Sequence, residues 1–167
     1  MQVVQQLLDV AGIGRDRMSL QWVSAAEGQL FANLVTELTE STKAKGPFDP
    51  SEYKMQLAAI EHVLTTPRMR WLTGMDRHLT EKGNVYNEKV DEAAIQDLLK
   101  RVIEDEYKKA LILEALKEGP LSVREIAGKA DLPVYTVSLK LNDLERRGQA
   151  ELKGFEGSTP KFIRLAA

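Results

Sequence analysis

The chain has 167 residues, 23 Lys and Arg against 25 Asp and Glu, 43% hydrophobic residues and no cysteine. Without cysteine it forms no disulfide, holds no cysteine-ligated zinc or iron–sulfur cluster and offers no thiol nucleophile. A net charge of −2 lacks the basic excess of a protein that binds nucleic acid along its whole surface. No apolar run reaches the roughly 20 residues of a membrane span, and the opening Met1-Gln2-Val3-Val4 lacks the basic start of a signal peptide. A cytoplasmic protein without membrane association is the expectation.

Val3, Val4, Leu7, Leu8 and Ala11 recur at helical spacing and Gly12 follows where a helix would stop, which predicts a helix from Gln2 to Ala11. Met18-Ser19-Leu20-Gln21-Trp22-Val23 alternates apolar with polar and predicts a strand. Ser24 and Glu27 stand at the spacing of a capping box, opening a helix that carries Leu30, Phe31, Leu34, Val35 and Leu38 on one face and stops near Gly46-Pro47. The predicted strand has no partner in its neighbourhood, so its N–H and C=O groups require a sheet from a second copy, from another subunit or from strands further along the chain.

Asp49-Pro50-Ser51-Glu52 repeats the helix-start pattern and predicts a helix from about Ser51 to Leu64. Pro67 restarts a short helical piece through Met69, Trp71 and Leu72 to Gly74, and Lys82 to Asn87 reads as a loop. Asp91 caps the longest predicted helix, whose stripe of Ile95, Leu98, Leu99, Val102, Ile103, Tyr107, Ala110, Leu111 and Leu116 ends at Gly119-Pro120.

Ser122 and Glu125 form another capping-box pattern for a helix from Ser122 to Lys129. Asp131-Leu132-Pro133 turns, and Val134 to Arg147 follows as a helix with Val137, Leu141 and Leu144 inward. Residues 150–155 and 161–165 alternate as two strands of a hairpin. From about residue 105 onward this order of helices and hairpin resembles the winged-helix domains of bacterial and archaeal regulators, and the resemblance implies a fold more than a task.

Residues 105–167 hold eleven Lys and Arg against ten Asp and Glu, a local excess of about one charge, whereas salt-resistant phosphate binding takes several unopposed cations. In Tyr135-Thr136-Val137-Ser138-Leu139-Lys140 a leucine stands where a base-reading Arg, Gln or Asn would be expected. Tyr135, Thr136, Ser138, Leu139, Lys140 and Lys161 are the candidate docking residues of this region, for a protein surface ahead of DNA.

The run from Ile13 to Ala32, with Trp22-Val23-Ser24-Ala25-Ala26-Glu27-Gly28 at its centre, resembles the C-terminal part of the delta subunit family of methyl-viologen-reducing hydrogenase, which also accompanies heterodisulfide-reductase proteins. Thr80 to Tyr86 and Glu88 to Asp91 resemble a tail of related proteins. That family implies a flavodoxin-like domain whose cysteines hold a [2Fe–2S] cluster beside a flavin-bearing subunit. The cysteine-bearing part has no counterpart here, so any [2Fe–2S] cluster or flavin is expected in partner subunits and no cofactor in this chain. The expected partners are hydrogenase- or heterodisulfide-reductase-like subunits, or a second copy. Met18, Leu20, Trp22, Ser24 and Glu27 are the candidate interface residues, joined by Arg68, Arg70 and Trp71 of the basic stretch that also holds Arg77 and Lys82.

No catalytic or metal constellation is expected. His62 and His78 stand apart from one another and from any cysteine, Gly12 and Gly14 lack the third glycine and preceding strand of a phosphate loop, and Trp22 and Trp71 read as packing residues. The fold expected is α+β, mostly α. It comprises a helix–strand–helix remnant of a flavodoxin-like domain over 1–46, a helical region over 47–104 and a winged helix-turn-helix over 105–167. The function expected is a non-catalytic scaffold subunit of an electron-transfer complex, with a DNA-binding regulator that dimerises through its N-terminal half as the alternative.

Overall fold

The computed structural model describes residues 1–83, 86 and 88–165, without the side chains of residues 76 and 77. The chain is mostly helical with a C-terminal two-stranded antiparallel hairpin, and it divides into two compact units, Met1–Lys54 and Met55–Ala167.

In the first unit, α1 spans Gln2–Val10, a 3-10 turn spans Arg15–Arg17 and α2 spans Gly28–Lys45. Gly12 and Gly14 take φ of 73° and 94°, a region closed to most side chains, which lets the chain leave α1 sharply. Three hydroxyls on α2, those of Thr36, Thr39 and Thr42, donate to the carbonyls of Ala32, Val35 and Leu38 one turn earlier. No residue of α2 is buried.

Two expectations are corrected here. Residues 18–23 form no strand, because the sheet found among the described residues is the C-terminal hairpin alone and nothing pairs with this segment. The Ser24/Glu27 pattern closes only half a box: Glu27 accepts from the Ser24 N–H at 2.9 Å, but Ser24 Oγ accepts from Ala26 at 3.4 Å, so 24–27 is a turn and the helix begins at Gly28.

α3, Lys54–Thr65, starts at the last residue of the first unit, later than predicted. Asp49 Oδ1 accepts from both the N–H and the hydroxyl of Ser51 (2.8 and 2.7 Å), and this local turn keeps 50–53 out of the helix. α4 runs Pro67–Arg77, through Gly74 rather than stopping there, and passes into a π-helical turn, His78–Lys82. A lone glycine costs only about 1 kcal/mol within a helix, too little to end one. Asn84, Val85 and Asn87 of the predicted loop lie outside the described residues.

Asp91 caps α5, Glu92–Ala115, its carboxylate accepting from the Ala94 N–H at 3.2 Å. The predicted stripe is buried except Leu98, which is exposed. A 3-10 turn, Leu116–Glu118, leads to α6, Val123–Ala130, opened by a complete capping box between Ser122 and Glu125. Asp131 then takes the left-handed conformation at φ 49°, a setting that short polar residues tolerate. α7 spans Val134–Arg146, and β1, Ala150–Glu156, pairs with β2, Thr159–Arg164. The connection is two residues, Gly157-Ser158, shorter than predicted, with Gly157 at φ 61° as tight hairpin turns require. Leu121 and Phe162 exchange two backbone hydrogen bonds (3.0 and 2.8 Å), which fastens the segment before α6 to β2.

Ile112, Leu113 and Leu116 meet Ile126, Val137, Leu141, Leu144 and Ala150 in the core of this unit. Beside it lies a charged cluster. Lys109, 4% exposed, reaches Asp105 at 2.6 Å, Glu106 at 3.6 Å and Asp143 at 3.5 Å. Arg68 bonds Asp105 and Glu106 at 3.0 Å each, Arg147 bonds Glu106 at 3.3 Å, and Lys140 bonds Asp105.

Desolvation alone would raise the Asp105 pKa, but the ammonium groups of Lys109 and Lys140 outweigh it and hold the carboxyl at about 2. A carboxyl lowered in the folded state stabilises above its unfolded pKa and loses that contribution as pH falls through the folded one. Acid titration should therefore remove about 2 kcal/mol from this unit between pH of about 4 and about 2, and Asp105→Asn should flatten that slope in urea unfolding.

Candidate partner-docking site

The candidate site lies wholly in the first unit. The segment following the Arg15–Arg17 turn runs beside α2, and together they enclose an open groove of about 630 Å³. Met18, Ser19, Gln21 and Val23 line one side, and Phe31, Leu34, Val35, Glu37 and Leu38 line the other. Leu20 and Trp22 do not line the groove and stand 55% and 88% exposed. From Ser19 to Val23 this alternation is that of an extended chain with successive side chains on opposite sides, while Met18 lines the groove beside Ser19.

Ion pairs at the base hold the segment in place. Arg15 meets Asp9 of α1 at 2.5 Å, and Lys45 at the end of α2 bonds both the carboxylate and the carbonyl of Asp16 at 2.9 and 2.7 Å. The hydrogen bond from Lys45 lowers the Asp16 pKa. Arg17 lies 5.1 Å above the Phe48 ring, which stacks on Tyr53 at 5.4 Å. Gln5 Nε2 donates to the Met18 carbonyl at 3.1 Å. Beyond that point the backbone groups of Ser19 to Val23 have no hydrogen-bond partner among the described residues.

Met18, Leu20, Trp22, Leu30, Phe31, Val35 and Leu38 are all large exposed apolar side chains of one 54-residue unit. Such a concentration on so small a surface is the mark of an interaction face. The α2 side of the groove was visible as a stripe in the sequence, but an amphipathic stripe on its own does not tell a core face from a docking face.

The other candidate residues are placed differently. Ser24 and Glu27 are exposed and bonded to each other's turn. On α4, Arg70 and Trp71 are exposed, while Arg68 is held by Asp105 and Glu106 and is no free cation for docking. Tyr135 and Leu139 project from α7 at 74% and 49% exposure, with Ser138 exposed and Thr136 half-buried.

Lys140 is committed to Asp105, and Lys161 to Glu125 (2.7 Å) and Glu156 (3.0 Å). Lys161 and the capping Ser122 hold the Glu125 carboxyl down to about 2. Lys109, Lys117, Lys129, Arg147 and Arg164 are also ion-paired, which leaves four of the region's eleven cations, Lys108, Arg124, Arg146 and Lys153, without a carboxylate among the described residues.

His62 is half-buried, and burial followed by the nearby Arg164 charge lowers its pKa. No group of three or more His, Asp or Glu among the described residues could hold a metal ion, and no helix among them is long and apolar enough to cross a membrane.

Against known proteins, the family model described as "FlpD: Methyl-viologen-reducing hydrogenase, delta subunit" matches residues 1–46. The match covers α1, the extended segment and α2, the elements that form the groove, and nothing identifies the remainder of the chain. No solved structure matches. A cysteine-ligated cluster does not fit this chain, which has no cysteine to hold one.

Proposed function

We propose that the chain is a non-catalytic accessory subunit of a hydrogenase- or heterodisulfide-reductase-like electron-transfer complex, with the redox centres in its partners. The observation that carries this reading is the coincidence of the delta-subunit match over 1–46 with an unpaired extended segment inside it. In this reading 1–46 is part of a flavodoxin-like layer. Residues 18–23 add as an edge strand to a partner's sheet, and the apolar face of α2 lies on that sheet. Main-chain bonds from Ser19 to Val23 supply affinity, while Leu20 and Trp22 supply selectivity.

The helices and hairpin over 105–167 are read as a winged helix that docks on protein. The pairing of Lys140 and Lys161 with carboxylates supports this over DNA binding, as do the exposed Tyr135 and Leu139. A gel shift with random duplex at moderate salt should then find no stable complex, and retained binding would favour the regulator reading instead.

Co-purification from the native source should recover a cysteine-rich subunit with an iron–sulfur absorbance. Trp22→Asp should weaken its capture by about 30-fold, the scale of a central aromatic anchor, and recovery of no iron–sulfur or flavin subunit would count against the reading.

A further inference from the structure

Met69 and Leu72, 2% and 4% exposed, fix the inward side of α4. At the helical period, Pro67, Arg70, Trp71 and Gly74 share the opposite side. Three features of that outward side go unused within the chain.

Gly74 stands inside a helix, where only proline is less favourable. Its φ is not positive, and a Cβ built there would meet nothing within 4 Å among the described residues, so neither backbone nor packing calls for a glycine. Trp71, one turn earlier, is left 61% exposed. A notch beside a protruding ring suits the close crossing of a second helix, which a side chain at 74 would hold off. Arg70 has no carboxylate among the described residues, whereas Arg68 is held by Asp105 and Glu106. Trp and Arg are the residue types on which protein interfaces concentrate their binding energy.

Charge selects the occupant. Residues 67–82 hold four Lys and Arg against two Asp and Glu, so a second copy would set a basic stretch against itself. One unpaired arginine and one ring fall short of the several cations and successive stacking platforms that hold nucleic acid. We propose that this side of α4 is a docking surface for an acidic helix of a partner protein, which brings a carboxylate to Arg70 and lays its backbone over Gly74 against Trp71. The surface belongs to the second unit and shares no residue with the 18–23 segment, so it stands apart from the proposed function.

The chain has two tryptophans, and Trp22→Phe leaves Trp71 as the sole fluorescent reporter. The probe is an alanine-based peptide of about 20 residues, long enough to hold a helix, with leucine along one side and glutamate flanking it. It should move the Trp71 emission to shorter wavelength and bind at least tenfold more tightly than the same peptide with lysine in place of glutamate. Arg70→Glu should reverse that preference. Gly74→Ala should raise the unfolding midpoint, since it removes the glycine penalty, and yet weaken the acidic peptide at least tenfold. A glycine with a purely structural role would not separate the two readouts in this way.

Equal binding of the two peptides, no binding at millimolar concentration, or unchanged binding by Gly74→Ala overturns the proposal. A dimer in sedimentation that Trp71→Ala dissolves would assign the surface to self-association, and displacement of the acidic peptide by random duplex DNA would assign it to nucleic acid; either overturns it too. Trp22→Asp, which tests the proposed function, should leave the peptide binding intact.

Discussion

Lys109→Ala should lower the unfolding free energy of the 55–167 unit by about 3 kcal/mol, the scale found when one member of a buried ionic cluster is removed. Lys109 is almost wholly enclosed and faces Asp105, Glu106 and Asp143, and Glu106 is itself 5% exposed. Without the ammonium, Asp105 keeps Arg68 and Lys140, and Glu106 keeps Arg68 and Arg147, so the loss is severe without being total. Lys109→Met, which restores the volume and not the charge, separates the two contributions. If the charge dominates, urea unfolding should place the two variants within about 1 kcal/mol of each other. A gap larger than that would assign the effect to packing.

Leu144→Ala should cost a similar amount, about 3 kcal/mol, for a different reason. Leu144 is fully buried where α7 meets Ile112 of α5 and Ala150 of β1. Truncation removes transfer energy and leaves a void that helices fixed by the hairpin cannot close. Leu144→Met should cost less than about 1.5 kcal/mol, because it keeps the volume. The check is the midpoint of chemical unfolding at unchanged slope. Equal losses for Ala and Met would mean that shape rather than volume governs the site.

The contrast between the two capping-box patterns shows how much of this fold could be read in advance. Ser122 and Glu125 close their box because the helix they open has Ile126 and Ala127 to bury. Ser24 and Glu27 have the same spacing, but α2 has no buried face to fix where it starts, and the Ser24 hydroxyl turns to Ala26 instead. Spacing names the residues capable of capping, and tertiary packing decides whether they do. The α5–α7 and hairpin region was legible almost throughout, since its periodicities and turn residues agree with its packing.

Within the charged cluster, only Lys109 beside Asp105 and Glu106 is local enough to see in the sequence. Arg68 and Lys140 lie 37 and 35 residues from Asp105, and nothing in their neighbourhoods marks them as its partners. At the candidate site the alternation of 18–23 is visible, but a ladder requires a second strand and none among the described residues pairs with this segment.

The absence of any buried residue in α2 has a consequence for how binding proceeds. An 18-residue helix held chiefly by its own backbone bonds opens at low cost, since helices in proteins owe most of their persistence to packing. Any partner that settles on its apolar face must also suppress that fraying, so part of the contact energy goes into immobilising α2. Association through this surface is therefore coupled to ordering. Its binding enthalpy should be more favourable, and its binding entropy less so, than rigid docking over the same area would give, because the helical hydrogen bonds and the order of α2 are completed at the same time.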